Sequence, residues 1–394
     1  MAHRRVDPSP GSTSSLRTAN QQRVLDVLRG VTPVGPSADD TAFTQAELAR
    51  ATGLAPATVS NIVRELTGSS LVEADPGSGR RGSAVRLARG AGLVAGVDFG
   101  HSHVAVAVGD LTGHLLAEER RHLAAGHDHV KALGVAGSML DAMVAAHGPV
   151  RHVGLGLPAP VTDDLVRSSS IFPGWEDVDT RTAAEQQFGL PVHVENDANL
   201  GALAEHRHGV GRGHDSSVFV KISSGVGAGI IIDNKLFHGA GGTAGEIGHL
   251  TLDDQGPLCR CGSRGCLEAY ASTGTALEMM SGQLPEATID DIVEEAMTGN
   301  VSALRVFEDA GLHLGWGLAN VTNLLNPGVI LVGGDMSHAG DLLLDSARLG
   351  LRRHVLSEAA STPVMVASLG DRASAIGALV LAIESTDLLP EAAS

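Results

Sequence analysis

All three cysteines of this 394-residue chain, Cys259, Cys261 and Cys266, fall within eight positions, and His249 stands shortly before them. One imidazole and three thiols in so short a stretch make the donor set that a tetrahedral zinc ion takes in a structural site. Gly256, Pro257, Gly262 and Gly265 supply the turns that wrap a backbone around an ion. The alternative, three unrelated buried thiols, leaves the clustering beside a histidine without a cause. Four protein ligands leave no position for water, so the zinc shapes a loop over 249–266 and does no chemistry itself. The opening "MAHRRVDPSPGSTSSLR" is polar with no apolar stretch behind it, so it reads as a floppy tail over 1–17 and not as an export signal. Few cysteines without a signal place the chain in a reducing cytoplasm and rule out a disulfide scaffold. No run of about 18 apolar residues exists to span a membrane.

The net charge of −17 argues against nucleic acid until its distribution is read. Residues 1–90 hold eleven Arg, no Lys and eight Asp or Glu, a surplus of three positive charges, which leaves −20 for the remainder. A mildly basic head on an acidic body suits a DNA-binding module joined to a different domain. In residues 18–90, "TANQQRVLDVLRG" sets Val24, Leu25, Val27 and Leu28 on one helical face ended by Gly30. Thr44 and Glu47 form a capping box for a second helix, Gly53 makes a tight turn, and a third helix runs over Pro56–Leu66. Val59, Ile62, Val63 and Leu66 bury one side of it; Thr58, Ser60, Asn61 and Arg64 face outward, as a major-groove helix requires. "LVEADPGSGRRGSAVRLA" then reads as a β-wing whose Arg80 and Arg81 reach phosphates or a minor groove. A three-helix protein-docking module is the competing reading; the wing and the clustered Arg favour DNA.

Residues 91–394 form the body. "LVAGVDFGHSHVAVAVGDLTGHLLAEERRH" predicts three short strands with turns at Asp98–His103 and Asp110–Gly113. "SSVFVKISSGVGAGIIIDNKLFHG" repeats the scheme, which predicts a duplicated architecture whose small-residue loops can cradle phosphates or simply turn the chain. Val192 and Val194 mark a buried strand ending at Glu195-Asn196-Asp197, where α/β sheets hold ligands. Asp197 is either a general base for a hydroxyl or the N-cap of the following helix. "NPGVILVGGDMS" is a further strand ending in Gly333-Gly334, and "DRASAIGALVLAIE" is a closing helix.

"GEIGHLTLDDQGPLCRCGSRGCLEAYAS" closely resembles the signature of the ROK family of repressors, open reading frames and sugar kinases, and the winged head resembles that of the family's repressors. The resemblance implies an α/β chain: a winged helix-turn-helix domain, then a two-lobed, actin-like (ribonuclease H-like) sugar-kinase-type domain with a zinc loop. It implies that Asn196, Asp197, Glu246, His249 and Glu268 contact a sugar between the lobes, with Asp197 in the place of the kinase base. If a nucleotide binds, Asp98, Gly100, Ser224, Gly225, Gly227, Gly333 and Gly334 form its phosphate loops, and Mg²⁺ and ATP are cofactors.

The departures decide between branches. The family's kinases open with Asp-x-Gly-Gly-Thr-Lys, but here the stretch runs from Asp98 and Gly100 to His101 and His103. The second loop, usually Gly-Thr-Gly-x-Gly, reads Ser223-Ser224-Gly225-Val226-Gly227, and the usual Asn-x-Pro-Gly-Trp begins with Ile171. These changes imply eroded ATP use and retained sugar binding. The expectation is a sugar-responsive regulator, a homodimer or dimer of dimers on a pseudo-palindromic operator. The alternatives are an ATP-dependent hexose kinase with a regulatory head and, more remotely, a protein-docking scaffold.

Overall fold

Apolar alternation broken by polar turns folds residues 93–122 into three antiparallel strands, Leu93–Phe99, His103–Asp110 and Leu115–His122. The computed structural model describes residues 13–29, 42–75, 84–162, 164–166 and 172–389. On the Leu93–Phe99 side two parallel strands extend this sheet, Val150–Leu157 and then Val192–Asn196. The plan recurs in the second half. Ser217–Ile222, Val226–Ile232 and Lys235–Leu236 run antiparallel, and Val329–Gly333 and Val364–Val366 continue the sheet in parallel. Two five-stranded sheets with the same strand order bear out the predicted duplication.

Each sheet is covered outside by helices and inside by one. His129–His147 buries Leu133, Met139 and Leu140 on the first sheet, and Val301–Leu325 with Asp341–His354 covers the second. Inside, helix Ala373–Ser385 packs on the first sheet, helix Asp197–His208 on the second, and the two pack on each other. The approach is too close for side chains. A Cβ at Gly154 would stand 2.0 Å from the Ala378 carbonyl oxygen, and one at Gly377 2.0 Å from that of Leu200.

The head has helices Thr13–Arg29, Gln45–Thr52 and Pro56–Gly68, with a small antiparallel sheet ordered Phe43–Thr44, Ala84–Leu87, Val72–Asp75. The Thr44–Glu47 capping box forms, Gly53 takes φ +69°, and Val59, Ile62, Val63 and Leu66 are buried. One expectation is corrected. Residues 13–17, read as tail, are the start of helix Thr13–Arg29, and Arg17 there bonds Glu65 of the third helix at 2.6 Å. Gly30, Arg80 and Arg81 lie outside the described residues.

The head does not stand apart from the body. Leu379, Ala382, Ile383 and Leu388 share one buried cluster with Val24, Leu28, Val85 and Leu87. Arg29, buried at 6% exposure, donates to the carbonyls of Glu384 and Thr386, which the closing helix leaves unpaired at its end. Among the described residues no helix is long and apolar enough to cross a membrane.

Candidate functional site

Where strand Val192–Asn196 meets helix Asp197–His208, Asn196 makes the turn. Its Oδ1 accepts from the amides of Ala198 (2.9 Å) and Asn199 (3.2 Å), and its Nδ2 donates to the Ala159 carbonyl at 3.1 Å. Asn196 is therefore the N-cap, and the capping role held open for Asp197 is withdrawn. Asp197 is left with its carboxylate in the interlobe space, 2.7 Å from the Lys221 ammonium. Lys221 also donates to Ser374 Oγ at 3.1 Å, and Ser374 donates to the Asp197 carbonyl at 3.1 Å. Burial raises the Asp197 carboxyl above its ordinary value, against the pull of Lys221 and with the push of Asp98. Burial works to lower Lys221, but Asp197 and Asp98 outweigh it and hold the ammonium above its ordinary value.

A cavity of about 420 Å³ opens here, within the roughly 300–1,000 Å³ of small-ligand pockets. Asn196, Asp197, Glu246, His249 and Glu268 all line it. Burial, with Asp197 and Glu268 adding, pushes Glu246 up to about 7. Glu268 has both oxygens engaged, Oε1 by Arg260 Nε at 2.7 Å and Oε2 by the Val226 amide at 3.0 Å. Arg260 also donates to the Ser224 carbonyl, tying the cysteine loop to the hairpin loop. Carboxylates, an amide and an imidazole around a hollow of this size can accept from and donate to the hydroxyls of a polyol.

The donor atoms of His249, Cys259, Cys261 and Cys266 all lie within 4.8 Å of one another. Cys261 and Cys266 Sγ are 3.7 Å apart, and Cys259 Sγ is 3.9 Å from His249 Nδ1. Metal–sulfur bonds of about 2.3 Å imply tetrahedral edges of about 3.8 Å, so the set fits a tetrahedral metal ion. Burial pushes the Cys266 thiol up to about 12 and raises Cys259 as well. A cation at the centre is what would hold them as thiolates.

The residues read as phosphate loops divide. Asp98, Gly100, Ser224 and Gly334 line a second cavity of about 280 Å³ beside the first. Gly225 and Gly227 face the first cavity, and Gly333 lines neither, being packed on the Phe219 ring. The His103 imidazole lies across Gly100, where a Cβ would meet it at 2.0 Å. It sits 3.7 Å from Asp98 and 3.2 Å from Arg120. Burial pushes Asp98 up, but His103 and Lys221 outweigh it and hold the carboxyl below its ordinary value. Ile171 lies outside the described residues, while Phe172 and Trp175 are buried against Phe99 and His127 and not at either cavity.

On the head, Ser60, Asn61 and Arg64 are exposed and Thr58 is half-buried, opposite the packed face of their helix. Arg64 donates to Asn61 Oδ1. Sequence reasoning missed Lys221, Arg260, Ser374 and Arg29. Lys221 alone left a signal: it is one of three lysines in the chain and interrupts an apolar strand.

The profile described as ROK family matches residues 94–385, and that of the IclR helix-turn-helix domain matches residues 22–76. The xylose repressor of Bacillus subtilis is 30% identical over 351 residues, which cover 87% of this chain and 91% of the repressor. A ROK family transcriptional regulator, a homologue of the Mlc protein of E. coli, superposes with a TM-score of 0.77 at 25% identity, over 93% of this chain and 96% of its own. A ROK family glucokinase from Streptomyces griseus, in complex with glucose and AMPPNP, superposes with a TM-score of 0.65 at 33% identity, over 74% of this chain and 99% of its own.

Proposed function

The chain belongs to the ROK family, and from that premise we propose that it is a sugar-responsive DNA-binding repressor of carbohydrate uptake or catabolism genes, acting in the cytoplasm. One observation carries the reading: a single helix joins the cavity to the head. Ala373–Ser385, about 20 Å long at ~1.5 Å per residue, starts with Ser374 bonded to Asp197 and Lys221 and ends with carbonyls that hold Arg29. A sugar bridging Asn196 and Asp197 on one wall to Glu246, His249 and Glu268 on the other favours one lobe closure. The helix passes that preference to the head, and operator affinity changes by the sugar's differential affinity for the two states.

Zinc on His249, Cys259, Cys261 and Cys266 would fix the loop that presents His249 and Glu268. Two heads of a homodimer would meet a pseudo-palindromic operator, with Thr58, Ser60, Asn61 and Arg64 at base edges and Arg80 and Arg81 on the backbone or in a minor groove. The relatives make D-xylose and D-glucose the first effectors to try. Asp98 and Asp197 favour a second reading, an ATP- and Mg²⁺-dependent hexose kinase, but the imidazole over Gly100 and the ammonium on Asp197 count against it.

The experiment is a titration of the zinc-loaded chain onto labelled DNA from upstream of its own and neighbouring genes, at fixed salt, with a panel of free and phosphorylated sugars. Specific binding shifted by one sugar is expected. Absence of specific binding in every condition would overturn the repressor reading and turn attention to phosphorylation of the same panel.

A further inference from the structure

The floor of the interlobe space brings two buried carboxylates together. Asp98 is 2% exposed, with Oδ1 lacking a hydrogen-bond partner among the described residues, and Asp197 is 7% exposed. Two such groups side by side repel, and one takes up a proton unless a cation compensates them. In phosphoryl-transfer sites a metal ion provides that charge. Here a side chain does. Lys221 projects from strand Ser217–Ile222 with its ammonium 2.7 Å from Asp197 and 3.1 Å from Ser374 Oγ, and the charges of Asp98 and Asp335 also act on it. The ammonium lies on the border of both cavities.

We propose that Lys221 is the positioning residue for Asp197, its ammonium being an internal counter-ion that fixes this carboxylate as an acceptor for a sugar hydroxyl and does the work of an external cation. The role differs from plain packing in a way that titration reveals. The charged groups acting on Asp197 are Lys221 on one side, Asp98 from the first sheet, and Glu246 from the approach to the cysteine loop; Ser374, on the closing helix, is neutral. Across the two cavities Arg260 is paired with Glu268, His103 with Asp98 and Arg120 with Asp371, and His249 belongs to the metal cluster, so without Lys221 no cation among the described residues bonds Asp197, and it protonates at a higher pH. Its folded value then lies further above its unfolded one, so the variant is most stable in acid and loses stability as pH rises.

This proposal rests on the sugar-binding reading, and the experiment separates the two. The full, zinc-loaded chain, Lys221→Met, Lys221→Arg and the double variant Lys221→Met/Asp197→Asn are melted at pH 5.5, 7 and 8.5. The melting gap between wild type and Lys221→Met should widen with pH, close to a constant in the double variant, and stay small in Lys221→Arg. A gap that is the same at every pH would make Lys221 a packing residue and overturn the proposal. In parallel, D-xylose and D-glucose are titrated by calorimetry. Lys221→Met should bind the wild-type's sugar at least tenfold more weakly at pH 6 and recover in part at pH 8, since rising pH favours the ionised carboxylate. Wild-type affinity at both pH values would also overturn it. Failure of the wild type to bind any sugar, with the widening gap intact, would strike the sugar reading and leave the counter-ion standing.

Discussion

The two cavities are built from matching sheets and share Asp197, Lys221 and Ser224, yet they use their polar groups in opposite ways. In the first, the Glu246 carboxylate makes no hydrogen bond or ion pair among the described residues, and burial has already pushed it up to about 7. In the second, apart from the buried Asp98 Oδ1, side chains satisfy one another in series. His103 joins Asp98 to Arg120, Arg120 reaches Asp371 at 3.2 Å, and His338 links Asp371 (3.2 Å) to Asp290 (2.7 Å). Arg372 and Glu118 add a pair at 2.6 Å beside it. One cavity keeps a carboxylate, Glu246, open to a ligand, while the rim of the other is clasped by its own residues. The lesson is that a duplicated scaffold sets where sites can be, and the supply of unpaired polar groups decides which becomes one.

The largest expected effect comes from cutting the first cavity's frame. Cys261→Ser should lose one metal ion per chain, read by elemental analysis, together with the sugar response, because the loop carrying His249 and Glu268 no longer has its centre. A normal sugar response without the metal would break the link between loop and cavity. Next, Asp197→Asn should weaken sugar binding by on the order of 1.5–3 kcal/mol, the worth of a hydrogen bond to a charged group. His103→Ala, which unclasps the second cavity, should alter sugar affinity by less than about 0.5 kcal/mol, as for a change away from the ligand. Comparable losses from both would erase the contrast. Arg29→Met addresses the helix between cavity and head. Sugar and operator should each still bind, but the factor by which one changes the other's affinity should fall by the same amount measured from either side, since linkage is reciprocal.

How much of this was legible in sequence follows from distance along the chain. The capping box spans Thr44 to Glu47, the third helix shows its face in Val59, Ile62, Val63 and Leu66, and the metal cluster sits in one loop. Those features are local, so periodicity and spacing reveal them. Arg29 finds the Thr386 carbonyl 357 residues away, and Lys221 finds Ser374 at a separation of 153. No local pattern encodes such pairings; they exist only once two sheets and two inner helices have stacked. The same limit explains the Asn196–Asp197 ambiguity. Either residue suits an N-cap, and only the Ala159 carbonyl, which takes the Asn196 amide, settles which one turns the chain. It also applies to residues 13–17, where Arg17 meets Glu65 from the third helix.

The smallest effect tests the clasp itself. Burial works to lower His338, but its bonds to Asp290 and Asp371 outweigh that and hold the imidazolium above its ordinary value. A histidine whose folded value is raised contributes stability fully present below its unfolded pKa of about 6.5 and lost as pH climbs through the folded value. The exposed partners keep the contribution within the 0–1 kcal/mol of surface ion pairs. Hydrogen exchange, corrected for intrinsic rates, should therefore show residues 335–339 and 370–372 less protected at pH 8.5 than at pH 6. His338→Gln should flatten that difference, and residues 247–266 should not share it. A sugar response that follows the same pH curve would mean that the clasp gates the first cavity, and the two cavities would then have to be treated as one coupled site.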